Sequence, residues 1–296
     1  MRYLIEREGR IRFAVPVREH HVELRLAPWH DDAQRLLSLT LQVDPVADLA
    51  SHYDCFGNLV HRFALMGSHS QIATRLRAEV ETLQTNPFKF DSLPPARERA
   101  WIADSLHQAP RLWDFVLHRS AFTPALRAFE QEIELPELES DSPLFAQVQS
   151  AMAWVHDLYQ LDLDRQDPQP TLEGLLNARQ GGAADLAHLL IAVVRGWGLP
   201  ARYAIGYLDP GYFEPDEDEE RDEPRPQVRH PWAEILIPGA GWRGFDPALG
   251  LLADETYVRV AVGRDATDVT VERSAYKGEA EGPGAQEVVL AVSRIA

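Results

Sequence analysis

Cysteine is almost missing from this chain of 296 residues. Its one thiol, Cys55, leaves no internal disulfide to form, which fits a reducing compartment. Long apolar runs are missing too. The strongest, residues 186–194, is interrupted by His188 and falls well short of the roughly 20 residues that span a bilayer. The first ten residues carry Arg2, Glu6, Arg7, Glu8 and Arg10, so they do not read as the apolar segment of a signal peptide, and a cytoplasmic location is expected. Cations are scarce: 29 basic side chains face 46 acidic ones, for a net charge of −17. That balance repels phosphates, which excludes a general nucleic-acid binder and disfavours anionic membrane surfaces. No repeat recurs at a fixed period, and the only low-complexity stretch is the acidic run at 216–220. No metal-ligand spacing is evident: His188, His230 and Asp246 could be combined into a site only by folding, and neither a cofactor nor a metal is expected.

What is present reads as an ordinary globular protein, with 45% hydrophobic and 25% charged residues and a length suited to about two domains. Up to about residue 82 the pattern alternates as half-buried strands do, at 11–15, 22–26, 37–43, 60–63 and 71–80. Strands this short and this closely spaced suggest a sandwich or small barrel. Asn86-Pro87 and Pro94-Pro95 mark a boundary. Helical spacing follows at 97–107 and 124–134, and Pro143 opens a further helix that runs to about Tyr159. A short helix at 172–178 precedes the most apolar one, 183–197, which Gly196, Gly198 and Pro200 close. Strands are expected at 201–208, 230–237, 242–245, 257–263 and 287–293, with an insert at 209–229 whose centre is the acidic run. The fold class is therefore α+β: a β-sandwich-like domain over residues 1–90, then a core domain over 91–296 in which the main helix packs on an antiparallel sheet.

Four stretches carry the functional signal. They are Gly181-Gly182-Ala183-Ala184-Asp185-Leu186-Ala187-His188-Leu189, His230-Pro231-Trp232-Ala233-Glu234, Gly244-Phe245-Asp246-Pro247 and Val260-Ala261-Val262-Gly263-Arg264-Asp265. Together with Asp54-Cys55-Phe56-Gly57-Asn58 and His61-Arg62-Phe63, they resemble the bacterial branch of the transglutaminase-like superfamily of papain-related cysteine enzymes. The resemblance implies a papain-like core behind an extra N-terminal β-domain. It makes residue 183 the nucleophile position, His230 the base and Asp246 the group that orients the base. Gly182, Ala184 and Trp232 would then line the ligand. A thiol at the first turn of a helix would meet the positive end of the macrodipole, an imidazole would shuttle its proton, and a carboxylate would select the imidazole tautomer.

Residue 183 is alanine, which has no lone pair and no proton to lose. Loss of the nucleophile of such a triad costs on the order of 10⁶ in rate. The leading expectation is thus an inactive relative that keeps the cleft for a peptide or protein, or serves beside an active partner subunit. The alternative is a cysteine amidase, peptidase or acyl-transferase in which alanine replaces the nucleophile. The departures at Gly182, Ala184 and Leu186 favour natural loss over a single introduced change. Cys55, in the other domain, is a poor substitute. Taken alone, His188 reads as a core histidine, Asp185 as a partner of the helix dipole, and the acidic insert as a solvated loop or a lid that would welcome basic ligands. Strand register supplies a test. With a four-residue turn pairing Ile237 with Trp242, Asp246 would face Ala233 and point away from His230. An odd-length turn or a bulge puts Asp246 opposite Trp232, diagonal to His230 on the same face, and that irregularity is predicted.

Overall fold

The computed structural model describes residues 1–129, 133–163, 165, 167–169, 171–214, 225–280, 282 and 285–295. The expected acidic centre at 216–220 lies outside the described residues. In chain order the elements are β1 (Arg2–Leu24), β2 (Gln34–Asp44), β3 (Ala50–Tyr53), β4 (Leu59–Leu65), β5 (His69–Thr82), α1 (Pro95–Gln108), α2 (Asp114–Leu117), α3 (Leu144–Leu158), β6 (Gln160–Leu161), α4 (Leu172–Ala178), β7 (Gln180–Gly181), α5 (Ala183–Gly196), β8 (Ala201–Leu208), β9 (His230–Ile237), β10 (Gly241–Asp246), β11 (Leu251–Leu252), β12 (Tyr257–Gly263), β13 (Glu272–Lys277) and β14 (Gln286–Ile295). Among the described residues no helix is long and apolar enough to cross a membrane.

β1 is one strand where the sequence suggests two. Arg7, which is buried, and Gly9 interrupt the alternation of Tyr3, Ile5 and Ile11 and hide its continuity. Its first half lies between β5 and β14, and its second half between β4 and β13. Irregular register near residues 12–21, with Glu19 at φ 46°, separates the two halves. The strand at 287–293 was expected in the core stretch. Instead β14 pairs with β1 from Arg2↔Ile295 to Ile11↔Gln286, and β13, which the sequence reading did not find, joins the same strand. The chain thus closes its first sheet with its last residues. Alternation shows that a segment is extended but carries no information on which distant strand it pairs with.

Of the helix expected at 124–134, residues 130–132 lie outside the described residues. The described part holds a 3-10 turn at Leu126–Phe129 and a bond from Ile133 N to the Phe129 carbonyl, with Leu126 and Ile133 buried. α5 is apolar almost all round because it is covered on all sides: Leu186, Leu189, Leu190, Ile191 and Val194 are each at most 1% exposed. Full burial of such side chains contributes roughly 1.5–3 kcal/mol apiece. At its end Arg195 donates to the carbonyls of Phe115, His118, Ala201 and Arg264 and to Thr123 Oγ1, fastening the last helical turn to four segments. Burial lowers its guanidinium to about 9, which still leaves it charged at neutral pH.

The core sheet runs β11-β10-β9-β8-β12 and is antiparallel throughout. A buried ion cluster ties it to the first sheet. Glu234 on β9 accepts from Arg202 on β8 at 2.6 Å and from Arg259 on β12 at 2.9 Å, and Arg259 also reaches Asp31. The Trp29 ring lies beneath both guanidiniums, 5.4 and 4.7 Å from its centroid. Beside it the Asn58 side chain grips β12 as a neighbouring strand would. Its Oδ1 accepts from Val262 N and its Nδ2 donates to the Val262 carbonyl, both at 2.8 Å. Asp54-Cys55-Phe56-Gly57-Asn58 is therefore a clasp between the two sheets.

Burial alone would raise the Glu234 carboxyl, but Arg259 and Arg202 outweigh it and hold the group at about 2. A depressed carboxyl stabilises the fold fully above its ordinary value of 4.5, and that contribution drains as the pH falls toward 2. Glu234→Gln leaves two buried guanidiniums against a neutral amide. It is expected to lose about 3–5 kcal/mol at neutral pH. Urea titrations should also show that the variant's stability changes less with acid than that of the parent across this window.

Candidate functional site

The site is built where α5 begins. Gly181 and Gly182 are required by crowding: a Cβ on Gly181 would lie 2.5 Å from Leu175 Cδ1, and one on Gly182 would lie 2.6 Å from the Arg165 carbonyl. Asp185, in the first turn, accepts from Gly182 N at 3.0 Å and from Gln169 N at 2.6 Å. Its role goes beyond the helix dipole, since it ties the loop before α4 down onto the helix start. Burial raises its carboxyl, against the two backbone donors that favour the charged form. Ala183 and Ala184 follow as the first helical residues, where N–H groups have no acceptor within the helix.

Ala183, Ala184 and His230 line one cavity of about 550 Å³, together with Leu208, Phe213, Val228 and Leu249. His230 Nε2 lies 2.6 Å from Asp246 Oδ2. The carboxylate can only accept, so Nε2 carries the proton, and Nδ1 is the ring nitrogen left for a group in the cavity. Asp246 is fully buried. Its Oδ1 accepts from Ala248 N at 2.9 Å and Leu249 N at 3.3 Å, and its Oδ2 also accepts from the Tyr257 hydroxyl at 2.9 Å. Burial, and then the nearby Asp246 charge, raise the Tyr257 phenol far above its usual range and keep it a donor. Three donors thus fix one carboxylate that in turn orients the imidazole, its fourth donor.

This pairing follows from the β9–β10 turn. Ile237 pairs with Gly241 across three residues, Pro238, Gly239 and Ala240, and the ladder runs on to Ala233↔Phe245. Asp246 therefore falls opposite Trp232, on the face that His230 shares, which is the odd-length geometry predicted. Gly239 makes the turn possible at φ 77°, in a place where a Cβ would lie 2.0 Å from the Asp91 carbonyl.

Two residues expected against the ligand sit elsewhere. Trp232 is 1% exposed and does not line the cavity. It lies over a lane of glycines, where a Cβ on Gly206 would come 2.8 Å from its Cη2 and a Cβ on Gly244 3.1 Å from its Nε1. Its ring meets Tyr257 edge-on at 5.4 Å. It props the phenol that holds Asp246. Gly182 is also absent from the lining, because its N–H is spent on Asp185 and Arg165 lies over it.

His188 is a core residue. It stacks between Phe122 at 4.9 Å and Tyr203 at 4.6 Å, and Nε2 accepts from Ala266 N. Burial lowers it to about 3, so it is neutral. Among the described residues no group of three or more histidine, cysteine, aspartate or glutamate side chains could hold a metal. Cys55 is exposed on the clasp and takes no part in the cavity. Sequence reasoning missed Tyr257, Arg165, Arg225 and Arg229. Tyr257 opens a strand that was expected, but nothing local marks its reach to Asp246. The arginines come from two polar loops that converge only in three dimensions.

Comparison with known proteins gives the family and the fold. A protein of Mycobacterium leprae (strain TN), described as uncharacterized, is 28% identical over 280 residues, covering 93% of this chain and 92% of its own. A second, from Mycobacterium tuberculosis (strain ATCC 25618 / H37Rv), is 26% identical over 277 residues, covering 90% and 85%. A crystal structure from Cytophaga hutchinsonii, of a protein described as a candidate cysteine protease, superposes with a TM-score of 0.68 at 19% identity, over 100% of this chain and 92% of that one. At that identity the likeness is one of fold. Residues 3–81 match the bacterial transglutaminase-like N-terminal region and residues 131–247 match the transglutaminase-like superfamily, and the chain belongs to that superfamily.

Proposed function

We propose that the chain is a transglutaminase-like protein without thiol chemistry, acting in the cytoplasm, whose cleft binds a peptide or protein segment. One observation carries this reading: Ala183 lines the same cavity as His230, at the helix start where the resemblance to the superfamily puts the nucleophile. The rest of the apparatus is in order. The imidazole is oriented by Asp246 and belongs to the cavity lining, and the helix start offers N–H groups on which a carbonyl or carboxylate can dock. Such a cleft holds an amide without cleaving it, either alone or beside an active partner subunit. The single cysteine fits the proposed compartment.

A second reading draws on the completeness of the His230–Asp246–Tyr257 chain. It takes the protein as an amidase, peptidase or acyl-transferase with alanine in place of the nucleophile, and the codon at 183 in the native gene separates the two. Chemistry tests the site itself. In a Cys55→Ser background, Ala183→Cys is expected to react with iodoacetamide roughly tenfold or more faster at neutral pH than Cys55 does in the parent. Amide turnover by the unmodified chain would overturn the proposal. No gain in reactivity would mean that the site has changed beyond its nucleophile. Adding Asp246→Asn lets the ring adopt the other tautomer and should remove most of that gain, a loss of roughly tenfold or more in the alkylation rate.

A further inference from the structure

The described lining of the cavity is richer in cations than in carboxylates. The chain carries a net −17, yet the cavity is lined by Arg165, Arg225 and Arg229, and Asp162 is the only carboxylate among its described lining residues. The Asp162 carboxylate pairs with Arg165 at 3.8 Å. Asp246 is fully buried behind His230 with both carboxylate oxygens engaged by four donors, so it offers no open oxygen to a ligand, although its charge acts on Tyr212 in the lining. A fourth cation stands behind the wall. Arg7 is 5% exposed, and its Nε and Nη1 find no acceptor among the described residues. It is close enough to Arg229 for the two charges to repel, while burial pushes up Glu272, the carboxyl that acts on it. The floor between these charges is apolar, with Leu208, Phe213, Val228 and Leu249.

We propose that the cleft takes an acidic peptide: one whose side-chain carboxylate sits against Arg165 and Arg229 while a neighbouring backbone carbonyl lies at the start of α5. This rests on the reading of the cavity as a peptide cleft and adds the chemistry that selects the occupant. The net charge of the whole protein disfavours anions, while the described cleft wall presents guanidinium groups to them. A carboxylate therefore gains binding energy at these guanidiniums, whose forks suit it geometrically. The volume suits a ligand of about three residues.

Two measurements test it. The first titrates the unmodified protein with dansylated, C-amidated Ala-Glu-Ala, Ala-Gln-Ala and Ala-Lys-Ala, read by fluorescence anisotropy. The glutamyl peptide is expected to bind on the order of tenfold more tightly than the lysyl one, with the gap narrowing as salt is added. Arg165→Gln and Arg229→Gln should each cut the preference for the glutamyl over the glutaminyl peptide several-fold. Equal binding of the glutamyl and glutaminyl peptides, or a lysyl preference, overturns the proposal and leaves the peptide cleft standing. No binding by any of the three removes the cleft reading and this one with it. Glutarate as competitor distinguishes sources of the carboxylate: failure to displace the glutamyl peptide assigns it to a peptide, and displacement at equal strength assigns it to a free dicarboxylate.

The second measurement needs no ligand. In the Ala183→Cys, Cys55→Ser protein the thiolate displaces iodide, forming an S–C bond as the C–I bond breaks, from either iodoacetate or iodoacetamide. The ratio of the two rates reads the potential at residue 183. It should exceed the ratio at Cys55 of the parent several-fold and fall when Arg165→Gln or Arg229→Gln is added. A ratio at or below that of Cys55 overturns the proposal.

Discussion

The pairing register of β9 and β10 is the constraint on which the site depends. Three residues in the turn, rather than four, set Asp246 on the face of the sheet that His230 occupies. A shift of one residue would carry the carboxylate to the opposite face and leave the imidazole without an orienting partner. The turn is held by a glycine at φ 77° that packs against the Asp91 carbonyl, so the segment leading into α1 guards the register from outside the sheet.

β9 also shows how binding and folding share one strand. His230, Trp232 and Glu234 alternate along it and so lie on one face. Glu234 anchors the strand to Arg202 and Arg259 and, through Trp29 and Asp31, to the first sheet. Trp232 fills the space above Gly206 and Gly244 and supports Tyr257. His230, at the strand's start, reaches the cavity. The ion cluster, the aromatic wedge and the imidazole are consecutive steps of one ladder, so the geometry at residue 230 is stiffened by contacts two and four residues away. The second half of the chain thus depends on the first: the sheet that carries the site is gripped by the Asn58 clasp and by Gln34, whose side chain bonds Arg259 N and its carbonyl, both at 2.8 Å.

Charge divides differently from fold. The acidic surplus lies over the molecule at large, while the described part of the cleft gathers arginines from the loop after β6 and from the segment just before β9. That latter segment is secured by the last strand. The Gln227 side chain bonds both backbone groups of Val292, and Arg294 pairs with Asp209 at the other end of the insert. The end of the chain, by closing the first sheet, also holds both described ends of the insert that borders the site.

The sequence by itself determined the elements and the chemistry within each. Strand 201–208, helix α4 and the apolar α5 were legible because periodicity and glycine–proline punctuation are local. The alanine at position 183, and its place at a helix start, were legible for the same reason. Even the irregular β9–β10 turn could be inferred, since only one parity of turn length brings two named residues to one face. Tertiary structure alone decided what those elements meet. β14 pairs with β1, Tyr257 donates to Asp246, Trp232 is a buried prop, and three arginines converge on one cavity. Each of these joins residues far apart in the chain, and a partner's identity is fixed by packing and by the satisfaction of buried polar groups, neither of which leaves a local trace.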